Sequence, residues 1–444
     1  MFERIISRVM TTAVLALLLG FASASAAEKL NLDDCIELAL KTRASIIAAR
    51  GSESVAAADK RSALGDFLPS IGATYSYSKG KITNIDPPNS VEIGSDTIYY
   101  DELDSGPSKT LGISGNMTLI SFPNIFGYAS ARASHAAAKL DVLASEQDLI
   151  YSVKTAYYAY LAAVQNVDVQ TEAVKRAEEQ LKLIESRFDL GSASRSDVLK
   201  QKVQFGNDRL GLLQANNGVT NARAALAYTI GIDPRGEQEF DTEYGVHQYD
   251  GSLNDAIGFG LENNPSLLAR EQYFSAANSA VRSAWSTYLP TLSVGADYQK
   301  SDRTDNTYFG SSDYSSASRS YGFSISWNIF DGFLRERQVT SAKVARNNAG
   351  AGLADTRNLT VSNIKTAFLE TDQLREQKLV SEENVAAAEE DLKITQEKYN
   401  LGAATILDLL DAQVSLKQAQ VALIQVDFDL NLAIAKLENA MGKK

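Results

Sequence analysis

The chain has a single cysteine, Cys35, in 444 residues, so no disulfide can form within it. Only two histidines occur, His135 and His247, and no nearby Cys/His spacing supports a metal site; both read as structural or solvated. There is no G-x-S-x-G elbow, no Gly-rich phosphate loop and no ordered triad, which leaves an enzyme reading without residues to rest on. No cofactor is expected. Long apolar runs are missing too: nothing approaches the ~18 residues of a transmembrane helix. Prolines number eight, and several long segments contain none, which makes long helices the default there. Basic residues are outnumbered, 43 against 55, for a net charge of −12. That balance argues against nucleic acid and against charge-driven binding to anionic lipid surfaces.

What is present begins with a secretory pattern. Arg4 and Arg8 precede an apolar run from Ala13 to Phe21, followed by small residues from Ala22 to Ala27. The run is too short to span a bilayer, so residues 1–26 read as a signal peptide cleaved near Ala26 or Ala27. The residues before Cys35 (Asn31, Leu32, Asp33, Asp34) do not resemble a lipoprotein processing site. Cys35 reads as a small apolar residue on a helix face.

The remainder is written twice. Leu32, Asp34, Ile36 and Leu40 recur as Leu253, Asp255, Ile257 and Leu261, a shift of 221, and Phe67 to Ser70 recurs at that shift as Tyr288 to Thr291. Phe188 to Gly191 returns as Tyr399 to Gly402, and Leu226 and Gly231 as Leu437 and Gly442, shifted by 211. A period this long is no solenoid repeat but a duplicated structural half. The copies are placed at 27–250 and 251–444.

Each copy has two period-two runs, with strands expected at about 67–80 and 109–121, then about 288–300 and 319–330. Ile71, Ala73, Tyr75 and Tyr77 point one way, against Ser70, Gly72, Thr74, Ser76 and Ser78. Leu111, Ile113, Met117 and Leu119 alternate with Gly112, Ser114, Asn116 and Thr118. In the second copy Leu292, Val294, Ala296 and Tyr298 share a face, as do Tyr321, Phe323, Ile325, Trp327 and Ile329. An apolar face opposite a Ser/Gly/Asn face over ~10 residues suits a membrane barrel strand. A soluble antiparallel sheet with one buried face has the same pattern. Aromatics flank the runs (Phe67, Phe122 and Phe126; Tyr288, Phe330 and Phe333), as an interfacial belt requires. Four strands cannot close a barrel, since the smallest membrane barrels need about eight. In lipid, several chains must therefore share one. The joining loops, 79–109 with Pro87, Pro88, Tyr99 and Tyr100, and 300–319, are polar and suit water.

Helical hairpins are expected at about 124–231 and 333–442. Val153, Tyr157, Tyr160, Val164 and Val167, then Val174, Ala177, Leu181, Ile184 and Phe188, follow heptad spacing. A helix of that span is ~100 Å long. The matching segment in copy two is weaker, with Arg375, Lys378 and Glu382 at seam positions. The returning helices carry Leu409, Leu416, Leu423, Leu430 and Leu437 every seven residues, and Val198, Phe205, Leu212, Val219 and Leu226 in the other copy. Large-then-small seams, with Ala412, Ala419, Val426, Ala433 and Ala440 completing the cleaner one, favour a multi-helix tube over a dimeric coiled coil. Gly191 and Gly402 stop the outgoing helices, and capping boxes at Ser194–Asp197 and Thr405–Asp408 open the returning ones, so the tip turns are short.

The signal segment, the duplicated strand-hairpin and helix-hairpin unit, and the Leu-Gly-x-x-(Ser/Thr)-x-x-Asp-(Val/Leu)-Leu tips together resemble the TolC family of outer membrane efflux proteins, over roughly Leu30 to Gly442. The resemblance implies a mainly α fold with a transmembrane β-barrel, in which each chain of a homotrimer gives four strands to a 12-stranded barrel. Its long antiparallel coiled-coil helices would form a periplasmic tunnel. It also implies a place in the cell outer membrane, and docking to a periplasmic adaptor (membrane fusion) protein and an inner-membrane transporter of RND or ABC type. The function implied is a passive exit duct for efflux or type I secretion; the rival is an adhesive or structural stalk on a barrel anchor. Leu407-Asp408-Leu409-Leu410-Asp411-Ala412 matches the segment in which family members constrict the tunnel entrance with aspartates, so Asp408 and Asp411 carry over as candidates. Asp408 also fits an ordinary cap, and Asp411 a solvated face. Where such members have a tip arginine this chain has Ala404; copy one offers Arg195 and Lys200 instead, near Asp197, as gate-closing partners for Asp408 or Asp411.

Overall fold

The computed structural model describes residues 29–83, 89–100, 103–236, 238–242, 249–307 and 310–443. The expected signal segment, Pro87, Pro88 and His247 lie outside these residues. In chain order the elements are α1 (Leu32–Thr42), α2 (Ala44–Gly65), β1 (Ser70–Ile82), β2 (Asn89–Ile93), β3 (Asp96–Tyr100), β4 (Leu103–Ile120), α3 (Phe122–Asp189) and α4 (Arg195–Ile230). The second half gives α5 (Leu253–Asn263), α6 (Pro265–Ser286), β5 (Thr291–Thr307), β6 (Gly310–Ser326), α7 (Leu334–Asn400) and α8 (Ile406–Met441). No helix among the described residues is long and apolar enough to cross a membrane. The fold is mainly helical with one larger sheet, and the chain divides into two compact units, each drawing on both halves of the sequence.

One unit comprises Ala49–Val142 and Pro265–Asn358. Its four strands are antiparallel in the order β1-β4-β5-β6, which leaves β1 and β6 as edges. Ile71 pairs with Gly115, Gly115 with Ala296 and Ala296 with Tyr321, so the apolar residues of all four strands share one face. That face is uncovered: Ile71, Tyr75, Tyr321, Phe323 and Ile325 are all exposed. A soluble sheet would bury it, whereas lipid solvates it.

The strands outrun the apolar pattern. β5 and β6 have 17 residues each, and β4 has 18. They extend at the hairpin side into Ser/Asp-rich sequence expected to be loop, while the 79–109 segment contributes the separate β2–β3 hairpin. At the other end β6 stops at Ser326, short of Ile329. There Trp327 Nε1 donates to the Tyr288 carbonyl at 3.0 Å, and buried Arg335 donates to Asp331 Oδ2 (2.8 Å) and to the Asn328 (2.6 Å) and Ile329 (3.0 Å) carbonyls. Its guanidinium lies 4.6 Å from the Tyr288 ring centroid, so one cation gathers the β6–α7 connection. Below the sheet the helices approach through small residues: Ala133, Ala137, Ala138 and Ala276 are buried, and Ser130 and Ser283 hydroxyls donate to the Ala276 and Pro123 carbonyls, each at 3.0 Å.

The other unit comprises Met1–Ala48, Leu143–Asn264 and Leu359–Lys444. Its main cluster seats Cys35 and Ala39 of α1 against Val153, Tyr157, Tyr160 and Leu161 of α3 and Leu226 and Ile230 of α4. Burial pushes the Cys35 thiol up to about 12, so it is an inert core residue. The second copy repeats this at smaller scale, with Ala256 of α5 against Ile364 and Ala367 of α7 and Leu437 and Met441 of α8. Each returning helix ends at a left-handed glycine docked on its short helix. Gly231 meets Thr42, whose hydroxyl donates to the Ile230 carbonyl at 2.7 Å; Gly442 meets Asn263 and Asn264, whose amide donates to the Ala440 carbonyl at 3.0 Å.

Candidate functional site

The two helical hairpins turn with the same local chemistry. After α3, Gly191 takes φ 76° and the Ser192 N–H donates to the Arg187 carbonyl at 2.8 Å; after α7, Gly402 takes φ 76° and the Ala403 N–H donates to the Lys398 carbonyl at 2.8 Å. A left-handed residue here closes the last helical carbonyls, and glycine adopts it without a Cβ clash. Three residues after each glycine the returning helix opens on a reciprocal capping box. The Asp197 N–H donates to Ser194 Oγ (3.1 Å) while the Ser194 N–H donates to Asp197 Oδ2 (3.3 Å). The Asp408 N–H donates to Thr405 Oγ1 (3.3 Å) while the Thr405 N–H donates to Asp408 Oδ2 (2.7 Å). These donations from the Thr405 backbone and then its hydroxyl hold the Asp408 carboxyl below the usual aspartate range.

The tips meet each other within this unit. Ile184, Ile406 and Leu409 are buried together, with Val198, Leu392 and Tyr399 packed around them. Above this plug Arg187 Nη2 donates to Asn400 Oδ1 at 3.0 Å, and its guanidinium lies 5.3 Å from the Tyr399 ring centroid. Burial raises the Tyr399 hydroxyl above its ordinary range. A cleft of about 800 Å³ separates the two turns, with Asp197 and Lys200 on one wall and Ala404, Thr405 and Leu407 on the other.

Asp408 is therefore engaged as a helix cap, and Asp197 likewise. Asp411 is exposed one turn later and forms no ion pair with any described residue. Arg195 is exposed and Lys200 half-buried, and neither makes an ion pair among the described residues. Deeper in the hairpins, Lys417 of α8 donates to the buried Asp208 of α4 at 2.7 Å, and Gln204 donates to the other oxygen of Asp208 at 3.0 Å. This pair and the Arg187–Tyr399–Asn400 contact are absent from the sequence-derived site. Both join residues about one repeat apart (208 and 417, 187 and 400), so their only sequence signal is the duplication shift itself. Among the described residues no His/Cys/Asp/Glu group could hold a metal ion.

Known proteins agree with this geometry. The chain is 23% identical over 378 residues to the outer membrane efflux protein BepC of Brucella suis, covering 85% of this chain and 77% of the relative. It is 25% identical over 372 residues to the outer membrane protein TolC of Escherichia coli, covering 79% and 73%. The solved structure of the outer membrane protein VceC from Vibrio cholerae superposes with a TM-score of 0.77 at 21% identity, over 93% of this chain and 96% of that one, which speaks for the fold. The model of the outer membrane efflux proteins matches residues 35–231 and 258–443, the two copies in turn. With nearly the whole described chain accounted for in this way, the protein belongs to the outer membrane efflux protein family.

Proposed function

We propose that the protein is the outer membrane exit duct of an efflux or type I secretion system, conducting substrates passively. One observation carries the reading: the sheet presents an uncovered apolar face and two unpaired edges, which a single chain cannot satisfy in lipid. Three chains of four strands form a closed 12-stranded wall, which leaves the Ser/Gly/Thr faces lining a watery lumen. The helical hairpins then line a tunnel whose tips meet a periplasmic adaptor and an inner-membrane transporter, the source of energy.

At the tips, Asp411 with Asp408 supplies an acidic mouth that favours cations over anions. In the closed state Arg195 or Lys200 of one hairpin pairs with Asp411 of another; Asp408 is less available because its carboxylate already holds the cap. The purified protein in a planar bilayer tests both levels. A duct conducts ions, and a sealed bilayer at every protein load sinks the proposal. Arg195→Ala and Lys200→Ala raise single-channel conductance, and Asp411→Asn lowers cation preference; unchanged values in all three remove the gate while leaving the duct.

A further inference from the structure

The outer rim of the sheet carries a feature that a duct does not require. Following the apolar face of each strand toward the hairpin ends, the last large apolar residue is Tyr77 in β1, Leu111 in β4, Tyr298 in β5 and Tyr321 in β6. The next position of the same alternation is a cation in every strand: Lys79, Lys109, Lys300 and Arg319. Register ties the two sets together, since Lys109 pairs with Tyr77, Lys300 with Leu111, and Arg319 with Tyr298. Three of the four cations therefore lie directly across from a neighbour's last large apolar residue, Lys79 stands at a register break on the β1 edge, and the row of cations steps diagonally along with the apolar edge. That edge marks the limit of hydrocarbon in each strand, so the four cations stand at one level of the membrane.

All four cations are exposed. Lys79, Lys109 and Arg319 form no ion pair with a described residue, and Arg319 lies 5.8 Å from the Tyr298 ring centroid. Among the described residues Asp302 is the one anion at this level; it lies across from Lys109, accepts from Ser315 at 2.6 Å and lies 3.6 Å from Lys300. The belt thus keeps a surplus of positive charge on a chain whose overall charge is −12.

We propose that this belt binds the phosphate-bearing headgroups of lipids in the outer leaflet. The inference rests on the membrane placement of the sheet but not on conduction. An amphiphile with acyl chains against the apolar band holds its headgroup one step higher, where long Lys and Arg stems can carry their charges into the polar layer. The tyrosines below present ring faces to the acyl chains and hydroxyls to the headgroups. A soluble anion would need the cations but would gain nothing from the apolar edge beneath them.

The full-length protein in detergent, titrated with diphosphorylated lipid A and with the same lipid stripped of phosphate, reads the preference by native mass spectrometry. The expected preference for the phosphorylated form is about tenfold, and it falls to about twofold or less in a Lys79→Gln, Lys109→Gln, Lys300→Gln, Arg319→Gln variant. If that variant misfolds, Lys109→Gln with Arg319→Gln gives an intermediate loss. Equal retention of the two lipids, full preference in the folded variants, or displacement by millimolar inorganic phosphate each overturns the proposal. So does an equal loss from Arg303→Gln, which lies on the opposite face of β5. Single-channel conductance is expected to stay unchanged in the belt variants, so the belt and the duct can fail separately.

Discussion

The two returning helices have the same length, the same caps and the same heptad spacing, yet they are buried to different depths. α8 encloses Leu409, Leu416, Leu430 and Leu437 within the chain, while on α4 Val198, Phe205, Leu212 and Val219 are only half-buried. α4 also turns Leu199, Val203, Leu210 and Leu213 to the surface. A duplicated element thus divides its labour: one copy holds its own chain together, and the other presents apolar surface that the proposed homotrimer would cover. The outgoing helices differ in a related way. Where α3 has the half-buried Val164 and Val167, α7 has Arg375 and Lys378 at the corresponding repeat positions and pairs Lys378 with Asp427 of α8. At these two positions an apolar pair gives way to an ion pair, a contact less sensitive to shape.

Charging the outer face of α4 breaks this division most severely. Leu210→Asp with Leu213→Asp is expected to abolish the trimer in crosslinking and native mass analysis while helix content by circular dichroism stays at the wild-type value. A trimer that survives both charges would show that α4 does not face a neighbour. Next in size is a contrast between ion pairs. Lys417→Met strands the buried Asp208 and should cost about 3 kcal/mol, while Lys378→Met, beside a more exposed Asp427, should cost about 1 kcal/mol; chemical denaturation measures both. Equal costs would show that the depth of the carboxylate does not set the strength of either pair.

The glycine stops sharpen the comparison at smaller scale. A Cβ at Gly442 meets the Asn263 carbonyl oxygen at 2.7 Å, whereas one at Gly231 meets the Thr42 hydroxyl at 2.5 Å, a side chain that can rotate away. Both carry the left-handed penalty, so Gly442→Ala should cost about 2 kcal/mol and Gly231→Ala about 1 kcal/mol by thermal melting. The smallest effect concerns the Thr405–Asp408 cap. Because the Asp408 carboxyl is held below its ordinary range, its contribution is intact above about pH 4 and is lost as pH falls through the lowered value. Amide exchange at the start of α8 should therefore quicken only in that acid window, and Thr405→Ala should move its onset to higher pH. Exchange that is flat across the window would remove the cap as a source of tip stability.

These contrasts follow what could be read before folding. The sheet face was legible from Ile71 to Tyr77 and from Tyr321 to Ile325, because period two is a local property. The strand ends were not: beyond Tyr298 the residues on both faces are polar, and backbone pairing with cross-strand polar contacts such as Ser315 to Asp302 carries β5 to Thr307. The tip turns were legible because Gly191, Ser194, Gly402 and Thr405 act on backbone groups a few residues away. Arg187 against Tyr399, and Lys417 against Asp208, were not, because each contact requires two hairpins to be placed side by side. The net charge argues against charge-driven lipid binding, but a sum over the whole chain does not register four cations aligned by strand pairing.

The unpaired margins of β1 and β6 bear on how the protein is made as well as on what it does. In the proposed shared barrel, a newly exported chain leaves its two outer strands without hydrogen-bonding partners until other copies arrive. Maturation of such a barrel would depend on concentration, slow when expression is low, with lone chains the species left for periplasmic chaperones and proteases to guard.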